Sequence, residues 1–166
     1  CNISSITHRH PRSQLACGIY CLLVRELLSG KSQKEAYGNL RNILIGLNFR
    51  EERKTQAEFF NRIIDSDIGK LPEHQIKSSG YVVDTLEASI WCLLNSSSYE
   101  EAVLKAVNLG GDTDTTGIVT GGLAGLVYGL ESIPENWMKL LAKFDEISDL
   151  FEKFTDEIIV REEDKC

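Results

Sequence analysis

At 166 residues, with 42% hydrophobic and 26% charged side chains, the chain has the size and composition of one globular domain with a sizeable core. Its net charge of -7, with lysines and arginines dispersed along the sequence, argues against non-specific nucleic-acid binding. No run reaches the roughly 18 apolar residues of a membrane span, and the polar N-terminus does not read as a signal peptide. A cytoplasmic protein with neither nucleic acid nor membrane as partner is the expectation.

Hydrophobic spacing is helical almost everywhere and no segment alternates with a period of two, which predicts an all-α fold: a compact multi-helix bundle over residues 1–166. Leu15, Ile19, Leu22, Leu23 and Leu27 keep the helical period from Gln14 to Ser29, and Gly30 suits the C-terminal cap. Cys17 and Cys21 in this helix, and Cys92 further on, read as buried reduced thiols. Zinc binding by Cys17 and Cys21 beside His8 and His10 is the weaker alternative. Cys1 stands where an initiator methionine is expected, which suggests a processed chain or a piece of a longer one. A second helix opens at Ser32, with Glu35 completing a capping box. Residues 52–64 form a polar, weaker helix. The stretch 65–80, with Pro72 and Ser78-Ser79-Gly80, reads as a long loop placed to line a site. Asp84 with Glu87, and Ser98 with Glu101, mark capped starts of helices that end near Asn95 and Leu109. Pro134 suits the first turn of a helix carrying Trp137, Leu140, Leu141 and Phe144. A final amphipathic helix runs from Asp145 or Ser148 to about Val160, followed by a charged tail expected to fray.

Between the helices ending at Leu109 and opening after Asp112 lies Gly110-Gly111-Asp112-Thr113-Asp114-Thr115-Thr116-Gly117. Two aspartates two residues apart, interleaved with threonines, supply the hard oxygen donors that Mg²⁺, Mn²⁺ or Ca²⁺ prefer. Gly117, Gly121, Gly125 and Gly129 then recur every four residues along one helix ridge. Each glycine costs roughly 1 kcal/mol relative to alanine, a cost that close backbone packing against neighbouring helices offsets. A plain helix cap explains one aspartate, but not two with a costly glycine stripe behind them. An EF-hand loop starting at Asp112 fails because its twelfth position is Leu123, where a bidentate glutamate is needed. The Asp-x-Asp-x-Thr pattern of haloacid dehalogenase-type phosphatases is met by Asp112, Asp114 and Thr116. That motif follows a buried strand, whereas here it follows an amphipathic helix, so this is a weak alternative.

Five blocks in order, Ile6-Thr7-His8-Arg9-His10-Pro11, Gly80-Tyr81-Val82-Val83-Asp84-Thr85-Leu86-Glu87-Ala88 through Trp91, Tyr99-Glu100-Glu101-Ala102-Val103, Asn108 through Gly117, and Ile133-Pro134-Glu135-Asn136-Trp137, resemble the ADP-ribosylglycohydrolase family, all-α metalloenzymes similar to dinitrogenase reductase-activating glycohydrolase. The resemblance implies a hydrolase that removes ADP-ribose from a modified side chain or small molecule by cleaving the glycosidic bond at the distal ribose. It implies two Mg²⁺ or Mn²⁺ ions, with Asp112, Asp114 and Thr115 as metal ligands. Tyr81, His8, Gly110 and Gly111 are the implied substrate contacts. Against these stand a half-buried core tyrosine and a structural turn histidine, and His10 and His74 read as exposed turn residues. The family's remaining ligands come from a Thr/Ser-Asp-Asp-Thr motif near the N-terminus, which this sequence lacks; Asp65-Ser66-Asp67 does not match it. The chain is therefore expected to carry the C-terminal half of the two-ion site and to bind metal weakly alone. The water-positioning acid is expected from a missing N-terminal segment or a complementary chain. A non-catalytic ADP-ribose-binding or structural relative is the second reading.

Overall fold

The computed structural model describes residues 3–47 and 51–163, with side chains for 3–47 and 54–157. All regular structure among the described residues is helical, as the hydrophobic spacing predicts. The chain divides into two compact units, one ending at Ser132 and one beginning at Ile133.

The first unit contains α1 (Ser4–Thr7), α2 (Pro11–Leu28), α3 (Gln33–Gly46), α4 (Glu51–Ala57), α5 (Asn61–Ile64), α6 (Val82–Leu94), α7 (Tyr99–Asn108) and α8 (Thr113–Tyr128). Helix α2 begins three residues before the expected Gln14. The reason is local: the His10 ring accepts the Arg12 amide at 3.2 Å, and Pro11 takes the first helical position, where its missing N–H costs nothing. Leu15, Ala16, Ile19, Leu23 and Leu27 form its buried stripe, and Gly30, at a φ of +81°, turns the chain out of it. Cys17 and Cys21 lie off that stripe and are exposed, which corrects the expectation of buried thiols. Cys92 on α6 is buried as expected, and desolvation pushes its thiol pKa up to about 12.

The capping box at Ser32 is complete: the Ser32 hydroxyl accepts the Glu35 amide, and the Glu35 carboxylate accepts the Ser32 amide at 3.0 Å. The polar stretch 52–64 is not one helix. It breaks into α4, a 3₁₀ turn at Glu58–Phe60 and α5, because Phe60, Ile63 and Ile64 all turn into the core. Helix α6 is the central element, buried continuously from Thr85 to Leu93, and it packs against α2, α3, α7, α8 and the turn Ile68–Lys70. Asp84 does not cap it. Tyr81 holds the cap position without a side-chain bond, Asp84 accepts the Ser79 hydroxyl at 2.7 Å, and Glu87 is a buried carboxylate 3.4 Å from Arg62. In α7, Ser98 caps by accepting the Glu101 amide, but the Glu101 carboxylate reaches Ser97 rather than Ser98, so the box is displaced by one residue.

Helix α8 packs on α7, α6 and α2. Its glycine ridge is only half a packing device. A Cβ at Gly117 would press on Val107 at 3.3 Å, and one at Gly121 would stand 3.3 Å from the Tyr99 hydroxyl. Gly125 faces open space, and Gly129, at a φ of +80°, lies past the helix end as its cap. Gly122, off the ridge, is held tighter, with the Tyr20 hydroxyl 2.8 Å from where its Cβ would be.

The second unit consists of α9 (Glu135–Leu140) and α10 (Phe144–Glu163). Pro134 precedes α9 as its cap rather than entering its first turn, Leu141 closes it, and Phe144 opens α10. Helix α10 runs three residues past the expected end at Val160; the last residues of the charged tail, 164–166, lie outside the described residues.

A pH dependence follows from Glu26, whose carboxylate accepts bonds from Lys31 at 2.6 Å, Asn39 at 3.1 Å and Arg25 at 3.1 Å. The Lys31 bond first, then Asn39 and Arg25, hold its pKa at about 2 against an ordinary 4.5. A depressed carboxylate contributes stability above the unfolded value and loses it as pH falls. The urea midpoint is therefore expected to drop between pH 4.5 and about 2, and Glu26→Gln is expected to flatten that drop while lowering stability at pH 7. An unchanged slope in the variant would remove Glu26 as its source.

Candidate active site

The site is built where the long loop 65–80 meets the turn before α8. The loop is not wholly irregular, since 3₁₀ turns at Ile68–Lys70 and Glu73–Gln75 divide it. Its end is stitched to the turn by two bonds: the Asp112 amide donates to the Ser78 carbonyl at 2.8 Å, and the Ser78 hydroxyl donates to the Gly110 carbonyl at 2.6 Å. Gly111 permits this approach twice over. Its φ is +66°, and a Cβ there would stand 2.5 Å from the Ser78 carbonyl oxygen. At Gly80 a Cβ would stand 2.6 Å from Asp112 Oδ2, so the carboxylate lies over bare backbone.

Asp112 caps α8: its Oδ1 accepts the Thr115 amide at 3.3 Å, and the buried Thr116 hydroxyl donates to its carbonyl at 2.8 Å. Asp114 lies in the first helical turn with an exposed side chain, as does Thr115. The capping role thus accounts for Asp112, while Asp114 stands in the first turn, where a carboxylate also complements the helix N-terminus. Asp112 is held below the ordinary carboxylate value of 3.8, first by the Thr115 side chain and then by the Asp114 carboxyl. Two carboxyls in hydrogen-bonding range share a proton or repel each other, and a cation between them removes the repulsion.

Beside this turn opens a cavity of about 770 Å³, walled by α2, by the start of α6 and by the first turns of α8. His8, Tyr81 and Thr115 all line it, so three residues singled out from separate sequence blocks meet at one place. His8 is exposed, its ring 3.1 Å from the Thr7 hydroxyl. Tyr81 is 39% exposed at the mouth of α6, so it is not a core residue. Gly110 and Gly111 shape the adjoining turn, with a φ of +79° and +66°. His10 lines the cavity as the cap of α2, and Cys17 and Cys21 are wall residues.

One contributor escaped the sequence patterns: Arg12 lines the cavity and donates from Nη1 to the Tyr81 hydroxyl at 2.7 Å. Ser78 and Gly80, in the stretch that the sequence marks as a loop placed to line a site, fix Asp112 from the loop side.

As metal ligands the residues fit in kind and fall short in number. Asp112, Asp114 and Thr115 offer hard oxygens at a helix N-terminus, but among the described residues no group of three or more His, Cys, Asp or Glu side chains is placed to hold an ion. Water, substrate or another polypeptide segment must complete any shell. The same observation removes zinc binding by Cys17, Cys21, His8 and His10. The phosphatase alternative falls because the motif follows helix α7 and not a strand.

A family model described as ADP-ribosylglycohydrolase matches residues 1–164. The chain is 32% identical over 156 residues to the ADP-ribosylarginine hydrolase Tri1 of Serratia proteamaculans, covering 90% of this chain and 38% of the relative. It is 32% identical over 138 residues to the ADP-ribosyl-dinitrogen reductase glycohydrolase of Rhodospirillum rubrum, covering 82% of this chain and 40% of that protein. A solved structure described as an ADP-ribosylglycohydrolase-related protein complex superposes with a TM-score of 0.68 at 31% identity, over 83% of this chain and 44% of the other. The chain spans about two fifths of the length of the curated relatives it matches.

Proposed function

The chain belongs to the ADP-ribosylglycohydrolase family, and from that premise we propose that it supplies one half of the active centre of a hydrolase that removes ADP-ribose from modified protein or a related small compound. The observation that carries this reading is that Thr115, Tyr81 and His8 line one cavity, with Asp112 and Asp114 in the adjoining turn that opens α8.

In this reading Asp112, Asp114 and the Thr115 hydroxyl hold Mg²⁺ or Mn²⁺, two ions in the complete site. Bound there, the metal supplies Lewis acidity and a template for the distal ribose. Gly80 leaves space for the Asp112 carboxylate to reach past the backbone, and the Ser78 bonds fix the backbone of the turn at Gly110 and Asp112. Tyr81 packs against the nucleotide ribose, His8 contacts ribose or phosphate, and the Gly110-Gly111 turn lets the substrate approach the backbone. The acid that positions water comes from outside these 166 residues, on another segment or a complementary chain. ADP-ribosylated arginine is the substrate class tried first, because it is named for the relative from Serratia proteamaculans. Among the described residues no helix is long and apolar enough to cross a membrane, and a cytoplasmic site of action belongs to the same proposal.

The experiment is release of ADP-ribose from arginine-ADP-ribosylated protein by the longest reading frame that contains residues 1–166. Release that requires Mg²⁺ or Mn²⁺ and stops on chelation is the expected result. Release undiminished by chelator contradicts the metal role, and ADP-ribose binding without release favours a non-catalytic relative.

A further inference from the structure

Cys17 and Cys21 take no part in the metal turn or in the substrate contacts, yet both line the cavity and both are exposed. They stand four residues apart on α2, in one row with Ser13, while Ala16 and Tyr20 form the neighbouring row of the same wall. Exposure makes both thiols available to a ligand. Cys92, the other cysteine among the described residues, is buried, with its pKa pushed up to about 12, and is out of reach.

The spacing decides what the pair can do. Side chains at i and i+4 of a helix have Cβ atoms about 5–6 Å apart, whereas a disulfide needs about 3.5–4.5 Å. A direct sulfur–sulfur bond would therefore bend α2, which Leu15, Ile19 and Leu23 hold in the core. One interposed atom removes the difficulty. Two bonds of about 2.3 Å, the length of a zinc–thiolate bond, let the sulfurs stand as far as about 4.6 Å apart.

The surroundings select the ion. Structural zinc takes four protein ligands, and among the described residues no three His, Cys, Asp or Glu side chains are grouped to hold an ion. Two sulfurs alone satisfy a soft monovalent ion that accepts two-coordinate binding, and thiolates select Cu(I). The adjoining wall residues Ala16, Leu86 and Val119 carry no side-chain oxygen to draw a harder ion.

We propose that Cys17 and Cys21 form a two-thiolate site for Cu(I) on the cavity wall. On binding, each thiol gives its proton to solvent and the copper stays monovalent, so the product is a singly negative bis-thiolate with no change of oxidation state. This soft site is separate from the hard-oxygen turn of Asp112 and Asp114 in both place and chemistry, and it does not depend on the hydrolase reading.

The test titrates Cu(I) anaerobically into the full chain in competition with the chromophoric chelator bicinchoninate. Cys1→Ser and Cys166→Ser form the background, because those two cysteines lie outside the described residues. One Cu(I) per chain is the expected result. Cys17→Ser and Cys21→Ser are each expected to lower its affinity at least about a hundredfold, since a single thiolate loses the chelate. Zn(II) is expected to bind at least about a hundredfold more weakly than Cu(I). Copper K-edge absorption should show two sulfur neighbours. Circular dichroism checks each fold, and the two single variants give independent readings if one of them unfolds. Copper retained in the variant lacking both thiols, no binding in competition with the chelator, Zn(II) bound as tightly, or nitrogen or oxygen neighbours in the absorption spectrum overturns the proposal.

Discussion

Asp112→Asn is expected to lower ADP-ribose release by the assembled hydrolase at least about a hundredfold while leaving α8 capped. Asparagine caps helices as well as aspartate does, so its amide oxygen still accepts the Thr115 amide that Asp112 Oδ1 accepts at 3.3 Å. What disappears is the anionic oxygen that lies over Gly80 and shares the turn with Asp114. Asp112→Ala removes both functions, so it should show the same loss of turnover together with a lower melting temperature. The pair of variants separates cap from ligand. If activity followed helix stability, Asp112→Asn would remain close to the native protein, and the aspartate would be a cap and nothing more.

The second large effect is on stability, at Gly111. Alanine there must adopt a φ of +66°, which costs an L-residue about 1–2 kcal/mol. Its Cβ must also stand 2.5 Å from the Ser78 carbonyl oxygen, a backbone atom that cannot swing aside as a side chain would. Relief requires separating the loop from the turn, and that breaks the 2.8 Å bond between the Asp112 amide and Ser78. Together these place the loss at about 2–4 kcal/mol. A fall in melting temperature of roughly 5–15 °C follows. Gly110→Ala is the control: its φ is +79° but no atom lies within 4 Å of a Cβ there, so only the backbone strain applies. Equal losses at the two positions would mean that the contact with Ser78 contributes nothing.

The sequence made the helices legible where a single stripe or a local cap defines them. Ser32 with Glu35 needs only four consecutive residues, and the bonds form as the spacing implies. The place of the Asp-Thr-Asp-Thr turn at the opening of a helix was legible for the same reason, since its residues are contiguous and Asp112 caps α8. Asp84 with Glu87 had the same outward spacing, yet tertiary packing claims Glu87 for Arg62 and the loop claims Asp84 through Ser79. Local pattern could not see either partner. Cys17 and Cys21 were misread because an apolar helix segment does not say which of its faces is covered; Leu15, Ile19 and Leu23 took the core, and the thiols went to the cavity wall. Gly125 failed similarly: the four-residue spacing identified a ridge, but α7 covers only its first half. Arg12 gave no signal, because its partners Gln56, Phe59 and Tyr81 come together only through the packing of α2 against α4 and α6.

The central claim is that the turn opening α8 is an oxygen-ligand metal site, and it is open to a direct test that does not depend on turnover. Mn²⁺ titrated into the isotopically labelled protein broadens amide resonances near the ion. The account predicts that signals from residues 111–117 broaden first, that Mg²⁺ restores them by competition, and that Asp112→Asn combined with Asp114→Asn abolishes the effect. Broadening centred elsewhere, or at this turn but undiminished in the double variant, would contradict it.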